Sequence, residues 1–380
     1  MRLALTEDQT ILAKTAAAFA ADRSPVERVR KLRDTGDPLG YSKELWVEMA
    51  RLGWTGIAFA EQDGGAGLGM AEVVLVTEAL GRCLAPEPFV SSVVLAGQAL
   101  AIAGSPSQRS DALKSLIAGD TVLALAFHER GSRYDLHRVT TRADKTQAGY
   151  RITGAKAQVL GGHGADAFVV VARTSGEVAD ARGITLLWVP AGARGLRVVR
   201  QDLVDGRNAA LVELAGVEVP GSAVIGEVDR GADTLDAAVD SATVALCGEM
   251  LGGMTEACDR TLAYLKERVQ FGVVIGTFQA LKHRAARMFV EIELARSAVM
   301  AAARAIDERA EHRRALVSAA KARCSDAYVL VANEAIQMHG GIGMTDEHDI
   351  GFFIKRARVS EMTFGDAAYH RDRFARLCGF

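Results

Sequence analysis

The chain has 380 residues, 49% of them hydrophobic and 24% charged, and a formal net charge of −2. That length suits one large or two to three ordinary domains, with enough apolar material for a sizeable core. The balanced charge leaves no electrostatic footprint for nucleic acid or an anionic membrane surface, and no apolar run approaches membrane-spanning length.

The opening "MRLALTEDQT" turns polar after five residues, so a cytoplasmic protein is expected. Five cysteines (83, 247, 258, 324 and 378) are scattered and never form a Cys-x-x-Cys pair. That spacing fits reduced thiols better than a disulfide framework or zinc. No two of the eight histidines lie three or four residues apart, so they show no helical metal-ligand spacing.

Along the chain, residues 1–120 read as a helical domain. "QTILAKTAAAFAADR", "KELWVEMARLGW" and "MAEVVLVTEALGRCL" carry apolar residues at helical spacing, with the glycine loop "EQDGGAGLG" between the last two. Residues 121–228 change character. "TVLALAFH", "GYRITGAK", "AFVVVAR", "GITLLWVP" and "LRVVR" are short segments separated by turn residues, the pattern of a compact β-barrel or sandwich rather than a βαβ sheet. Residues 229–380 return to long helices, predicted over 241–269, 278–314 and 315–339. The middle one carries an apolar stripe of Leu281, Ala285, Met288, Ile292, Ala295, Val299 and Ala302. Long helices joined by short loops predict a four-helix bundle.

Two motifs interrupt this regular pattern. In "RVQFGVVIGTFQALKH", 268–283, Arg268, Phe271 and Gln279 gather a guanidinium, a ring and an amide around one tight turn. The ordinary reading is an interhelical loop capped by Gly272. The alternative is a grip on a pyrophosphate by the arginine, with the ring over an adenosine. In "QMHGGIGMTDEHDIG", 337–351, three glycines follow a helix where one would serve as a cap. Extra glycines allow close approach to the backbone. The motif follows a helix, not a strand, so it is no dinucleotide fingerprint.

Taken together, Arg-x-x-Phe-Gly at 268–272, Gln-x-x-Gly-Gly at 337–341 and "EQDGGAGLG…TEALGR" around a β-region make the chain resemble the acyl-CoA dehydrogenase family over its whole length. Within the family, "LGWTGIAFAEQDGG", "LALAFHERGSRYDLHRVTTRA" and "TFGD" are similar in character to the small subunit of pimeloyl-CoA dehydrogenases. The resemblance implies a mainly α fold with a central β-domain: an N-terminal helical domain, a β-barrel and a C-terminal four-helix bundle. It implies FAD, an acyl-CoA substrate oxidised to its 2,3-enoyl-CoA, and an electron-accepting flavoprotein as partner. Residue by residue, Arg268, Phe271, Gln279, Gln337, Gly340 and Gly341 match the half of the family's site that holds the ADP part of a neighbouring subunit's FAD.

The other half departs from the family. Where the family reads Thr-Glu-Pro…Gly-Ser-Asp, "HERGSRYD" keeps Glu129 and Asp135 but has Arg130, Arg133 and Tyr134 at the Pro, Gly and Ser positions. Arginines of this kind are ordinarily solvated; the alternative is recognition of an acidic acyl tail. The family's flavin-packing Trp-Ile-Thr falls on Gln158, Val159 and Leu160. Its usual catalytic Glu falls on Phe364, and the alternative helical Glu position on Ala242. The nearest carboxylates are Glu361, read as solvent-facing, and Asp366, which precedes the helical pattern "AAYHRDRFARL" and reads as an N-cap.

Three functions are therefore weighed. The first is a dehydrogenase-family subunit that lacks its own Glu and completes the FAD site of a partner subunit. The second is a self-sufficient homo-oligomeric dehydrogenase with Asp366 as an unusual base. The third is a flavin-free acyl-CoA-binding scaffold.

Overall fold

The computed structural model describes residues 4–380. Four helices open the chain: α1 (Glu7–Arg23), α2 (Val26–Asp34), α3 (Lys43–Arg51) and α4 (Met70–Arg82). A π-helical segment, Phe89–Gly97, and the short helices α5 (Gln98–Ala103), α6 (Pro106–Gln108) and α7 (Lys114–Ala118) follow. The starts are set by local chemistry. Thr6 and Gln9 form a reciprocal capping box at α1, and the Ser42 hydroxyl accepts from the Leu45 amide at α3. Helix α4 starts after Gly69 and takes its cap from far along the chain. The Asp307 carboxylate accepts from the amides of Met70 (2.6 Å) and Ala71 (3.1 Å). A Cβ on Gly69 would lie 2.6 Å from that carboxylate, so glycine is what lets Asp307 in.

The central region is one sheet of eight strands: β1 (Leu123–Ala126), β2 (Arg142–Lys145), β3 (Gly149–Leu160), β4 (Ala167–Arg173), β5 (Ile184–Pro190), β6 (Leu196–Asp202), β7 (Asn208–Pro220) and β8 (Val224–Ile225). The hydrogen-bonded order is β6-β7-β3-β2-β4-β5-β8, with β1 on β4. Pairs are antiparallel except β1 and β2 on β4. The strands close over one apolar core that includes Ile152, Phe168, Val170, Leu187, Val212 and Val217. Strands β2, β7 and β8 were not expected from the sequence.

The C-terminal region holds α8 (Ala232–Glu267), a two-stranded hairpin of β9 (Val269–Gln270) and β10 (Val273–Val274), then α9 (Gln279–Asp307), α10 (Arg313–His339), a 3₁₀ turn (Gly340–Met344), α11 (Ile350–Met362) and α12 (Ala367–Leu377). Helix α8 begins at Ala232 rather than at residue 241, and α9 ends at Asp307 rather than at 314. The order of helices, sheet and helices is the mainly α fold with a central β-domain expected from the sequence. No helix among the described residues is long and apolar enough to cross a membrane.

Spatially the chain forms two compact units. One comprises the N-terminal residues through Thr35, Gly69–Ala85 and Thr243–Phe380; the other comprises Gly36–Leu68 and Pro86–Ala242. Within the first, α10 packs against α9, α11 and α12. Helices α4 and α8 cross on glycines: a Cβ on Gly252 would sit 1.9 Å from the Glu78 carbonyl oxygen, and one on Gly81 would sit 2.1 Å from that of Glu249. The buried face of α9 is the expected stripe from Met288 to Ala302, while Leu281 and Ala285 are only half-buried.

Candidate functional site

In the helical unit, Arg268 follows the last residue of α8, and its amide still bonds the Tyr264 carbonyl (2.9 Å). Phe271 and Gly272 are the two central residues of the β9–β10 hairpin, with φ of +55° and +79°. Both values lie in the left-handed region, as a tight two-residue hairpin needs. Gly272 is thus a hairpin residue, not the helix cap of the ordinary reading. A bulky residue at positive φ is strained, and strain of that kind points to a site. The Phe271 ring is 91% exposed and lies edge-on to Phe278 at 6.3 Å between centroids. Gln279 opens α9 and is exposed.

Gln337 and Gly340 lie at the end of α10. Gly340 has φ +67° and ψ −143°, a backbone state only glycine takes readily. Gly341 has no such need. Its φ is not positive, and a Cβ there would meet nothing within 4 Å. The chain's own packing therefore gives no reason for glycine at 341; room for a group from outside does.

The two motifs are joined by rings. Tyr264, four residues before Arg268, stacks on His339 with centroids 4.6 Å apart and planes 27° apart. His339 stands between Gln337 and Gly340. The structure therefore brings Arg268, Phe271, Gln279, Gln337, Gly340 and Gly341 onto one helical unit, on segments linked by the Tyr264–His339 stack. Arg268, Gln279, Gln337, Gly340 and Gly341 are all exposed, as Phe271 is. The donor set, the open backbone at Gly341 and the unsheltered ring suit the ADP part of FAD.

The sheet unit holds the departures. Gln158 has φ +51° at a break in the β3–β7 register between Lys156 and Val159, and its amide donates to the Gln201 side-chain oxygen (2.7 Å). Val159 is buried and Leu160 half-buried, so neither a ring nor a hydroxyl is presented here. Glu129 is saturated. It accepts from the Thr140 amide (2.7 Å), the Thr140 hydroxyl, the Thr141 amide (3.0 Å) and the Lys156 ammonium (2.6 Å). Burial would raise the Glu129 carboxyl, but Lys156 and the threonine donors overcome it and hold it at about 2. Burial lowers Lys156 to about 8 against the pull of Glu129. Glu129 gains from being charged and Lys156 is made easier to neutralise, yet both remain ionised at neutral pH. At 158–160 this unit presents neither an indole nor a hydroxyl, and the Glu129 carboxylate is spent on structure.

The 361–366 turn of the helical unit carries Phe364, Asp366 and Glu361. Phe364 stands at φ +60°, partly buried, and Ala242 is fully buried on α8. The Asp366 carboxylate accepts from the Tyr369 amide (2.8 Å) at the start of α12, the N-cap expected of it. Glu361 is not simply solvent-facing: it pairs with Arg358 (3.1 Å). The turn is fastened from beneath. Fully buried Lys321 donates to the Ser325 hydroxyl (3.0 Å) and to the carbonyls of Glu361 (2.9 Å) and Gly365 (2.7 Å). His370, lowered to about 3 by burial and by Lys321, is neutral and donates through Nε2 to the Phe364 carbonyl (3.0 Å). Sequence reasoning missed Lys321, Lys156 and the Tyr264–His339 stack. A lysine reads as solvated until its acceptors, tens of residues away, are placed around it. Among the described residues no cluster of His, Cys, Asp and Glu could hold a metal ion.

Comparison with known proteins places this architecture. Residues 6–120, 124–215 and 229–378 match the N-terminal, middle and C-terminal domains of acyl-CoA dehydrogenase. The sequence is 29% identical over 377 residues to mitochondrial isovaleryl-CoA dehydrogenase of Pongo abelii, covering 97% of this chain and 88% of that one. Among solved structures, the ChsE4-ChsE5 complex from Mycobacterium tuberculosis is similar, with a TM-score of 0.89, 29% identity and full coverage of both chains. Butyryl-CoA dehydrogenase from Megasphaera elsdenii gives a TM-score of 0.91 at 25% identity, again with full coverage. The chain belongs to the acyl-CoA dehydrogenase family of FAD-dependent oxidoreductases.

Proposed function

We propose that this chain is the FAD-completing subunit of a hetero-oligomeric acyl-CoA dehydrogenase, lending Arg268, Phe271, Gln279, Gln337, Gly340 and Gly341 to the FAD of a catalytically complete partner chain. One contrast carries the reading: an exposed, intact ADP-gripping set on a chain with no carboxylate at 364 or 242 and no hydroxyl or ring at 158–160. Two copies of such a chain would each lack the ring-binding half, so a different partner is needed. The similar ChsE4-ChsE5 structure is itself a complex of two differently named chains.

When bound, FAD supplies the hydride acceptor for α,β-dehydrogenation of an acyl-CoA thioester. Arg268 would pair with the pyrophosphate through charge-assisted hydrogen bonds, Phe271 would cover the adenosine, and the bare backbone at 340–341 would admit the phosphates. Exposed apolar residues on the same unit, Val269, Phe271, Phe289, Val290 and Leu294, are where the partner would lie. Electrons would pass on to an acceptor flavoprotein in the cytoplasm. The division into domains 1–120, 121–228 and 229–380 belongs to this reading. Nothing favours Asp366 as a base, since its carboxylate is engaged at the helix start.

The test is purification of the chain alone and together with a dehydrogenase-like chain that retains the Glu and Trp-Ile-Thr. Alone it should be colourless and inactive; together the complex should be yellow and active. Arg268→Ala in the complex should lower flavin content, through loss of hydrogen bonds worth roughly 1.5–3 kcal/mol each. A yellow, active chain by itself would overturn the reading. A colourless pair that still binds acyl-CoA would favour the scaffold.

A further inference from the structure

The geometry points to a positioning role for three rings: Tyr264, His339 and His348 hold the Arg268 and Gln337–Gly341 segments in register, and they do so only while both imidazoles are neutral. The inference rests on the ADP half-site proposed above, and adds what fixes its shape.

The rings form a continuous column. Tyr264 stacks on His339 at 4.6 Å, and His339 meets His348 at 4.7 Å and 52°. Each ring belongs to a different segment: Tyr264 to the last turn of α8, His339 to the last turn of α10, and His348 to the loop before α11. The backbone carries the placement outward. Arg268 N–H bonds the Tyr264 carbonyl, and His339 is followed directly by Gly340. Moving either end of the column thus moves one motif against the other.

At His348 the hydrogen bond defines the protonation state. His339 is buried and Nδ1 donates to the Ala335 carbonyl (2.7 Å); His348 Nδ1 accepts from the Ile350 amide (3.2 Å). A ring nitrogen that accepts carries no proton, so His348 is neutral. The charged groups around the column also disfavour a cation. Arg260 on α8 lies near both imidazoles and is paired with Glu256 (2.9 Å); Arg30 on α2 lies near His348. Of the acids, Asp349 favours a charged His348, but it is paired with Arg30 (2.7 Å). Asp346 is held by Arg30, Arg33 and Lys355. Burial first lowers both histidines from their ordinary value; His348 and Arg260 add to it at His339, and Arg260 and Arg30 at His348. Two imidazolium ions at this separation would repel, and protonation at His348 Nδ1 would break its bond to Ile350.

The experiment is hydrogen exchange of the full chain without flavin, following the 268–272 and 340–344 segments and normalised to an unfolded control at each pH. In Tyr264→Ala both segments should exchange faster, about tenfold, while the sheet does not change. In the wild-type chain the same two segments should loosen together as the pH falls below about 6.5, the ordinary imidazole value from which both histidines are lowered. His339→Phe keeps a ring in the column but removes one of the two charges, so it should keep wild-type protection at neutral pH and show a smaller acid effect, the remainder coming from His348. Loosening of one segment without the other, or an acid effect as large in His339→Phe as in wild type, would overturn the inference. Flavin retention by the complex is measured separately. Coupled exchange with flavin retention indifferent to Arg268→Ala sinks the ADP half-site and leaves the column standing.

Discussion

The Lys321 ammonium donates to the Gly365 carbonyl across 2.7 Å from a side chain with no accessible surface. Its other acceptors are a hydroxyl and a second carbonyl, so this buried cation is held by neutral oxygens at the C-terminal end of α11 rather than by a carboxylate. The negative end of a helix is a favourable place for it. The consequence is a fixed backbone at 361–366, where Phe364 and Gly365 both stand at positive φ.

Replacing Lys321 by Met should therefore destabilise the chain, since it leaves two buried carbonyls without donors at roughly 1–3 kcal/mol each. The effect should depend on pH. Burial lowers Lys321 from 10.5 to about 8. Between those values the unfolded chain binds more protons than the folded one, so stability from this group rises with pH. The wild-type advantage over Lys321→Met, measured by urea unfolding, should be larger at pH 9.5 than at pH 7.5. An advantage that shrinks with pH would show that the ammonium itself is the favoured form.

The Glu129–Lys156 pair should behave in the same sense at the acid end. Glu129 is held at about 2, below its ordinary 4.5. Its contribution is complete above the ordinary value and is lost as pH falls through the window from 4.5 to 2. Glu129→Gln leaves Lys156 buried without its counter-charge, a change expected to cost about 3–5 kcal/mol at neutral pH. The variant should also lose the acid-sensitive limb between those pH values. Equal acid sensitivity of variant and wild type would assign that limb to other carboxylates.

Much of this was legible before the fold was known, and the gaps have physical causes. The α9 stripe, the helix–sheet–helix order and the Asp366 cap follow from periodicity and local chemistry, which act within a few residues. Strand β7 did not show itself because "NAALVELAGVEVP" is rich in Ala, Glu and Gly, which are poor strand formers. It becomes a strand because it pairs with β3 on one side and β6 on the other. Strand β2, "RADK", is polar and short for the same reason: it is completed by β3. At 268–272 the sequence announces a break but not its form. The positive φ of Phe271 is set by closing the hairpin, and no propensity scale assigns phenylalanine to that state.

Glycines separate structural from ligand-serving positions. Gly252→Ala would drive a methyl to 1.9 Å from the Glu78 carbonyl, in backbone that cannot yield. It should cost about 1–3 kcal/mol or more by overpacking. Gly341→Ala meets nothing in the chain and should leave the melting temperature unchanged or slightly higher. In the complex, however, Gly341→Ala should reduce flavin content. A Gly341→Ala protein with lowered stability but full flavin would show that this glycine serves the fold.

The Asp366 carboxylate decides between a subunit and a self-sufficient enzyme, and two substitutions separate its possible roles. Asp366→Asn preserves an oxygen that can accept from the Tyr369 amide and remains a good N-cap, but it removes the basic group. Asp366→Ala removes both. If the carboxylate is a cap, Asn should leave thermal stability and the activity of the complex nearly unchanged, while Ala should lower stability by about 1 kcal/mol. The geometry favours this outcome, because the oxygen lies 2.8 Å from the amide it caps and Lys321 and His370 fasten the turn on either side. A base would need freedom to reach a substrate carbon, which a capped and fastened turn does not offer. The opposing result is specific. Were the chain active alone, with activity falling by orders of magnitude in Asp366→Asn at an unchanged melting temperature, Asp366 would be the base and the partner-subunit reading would fall with it.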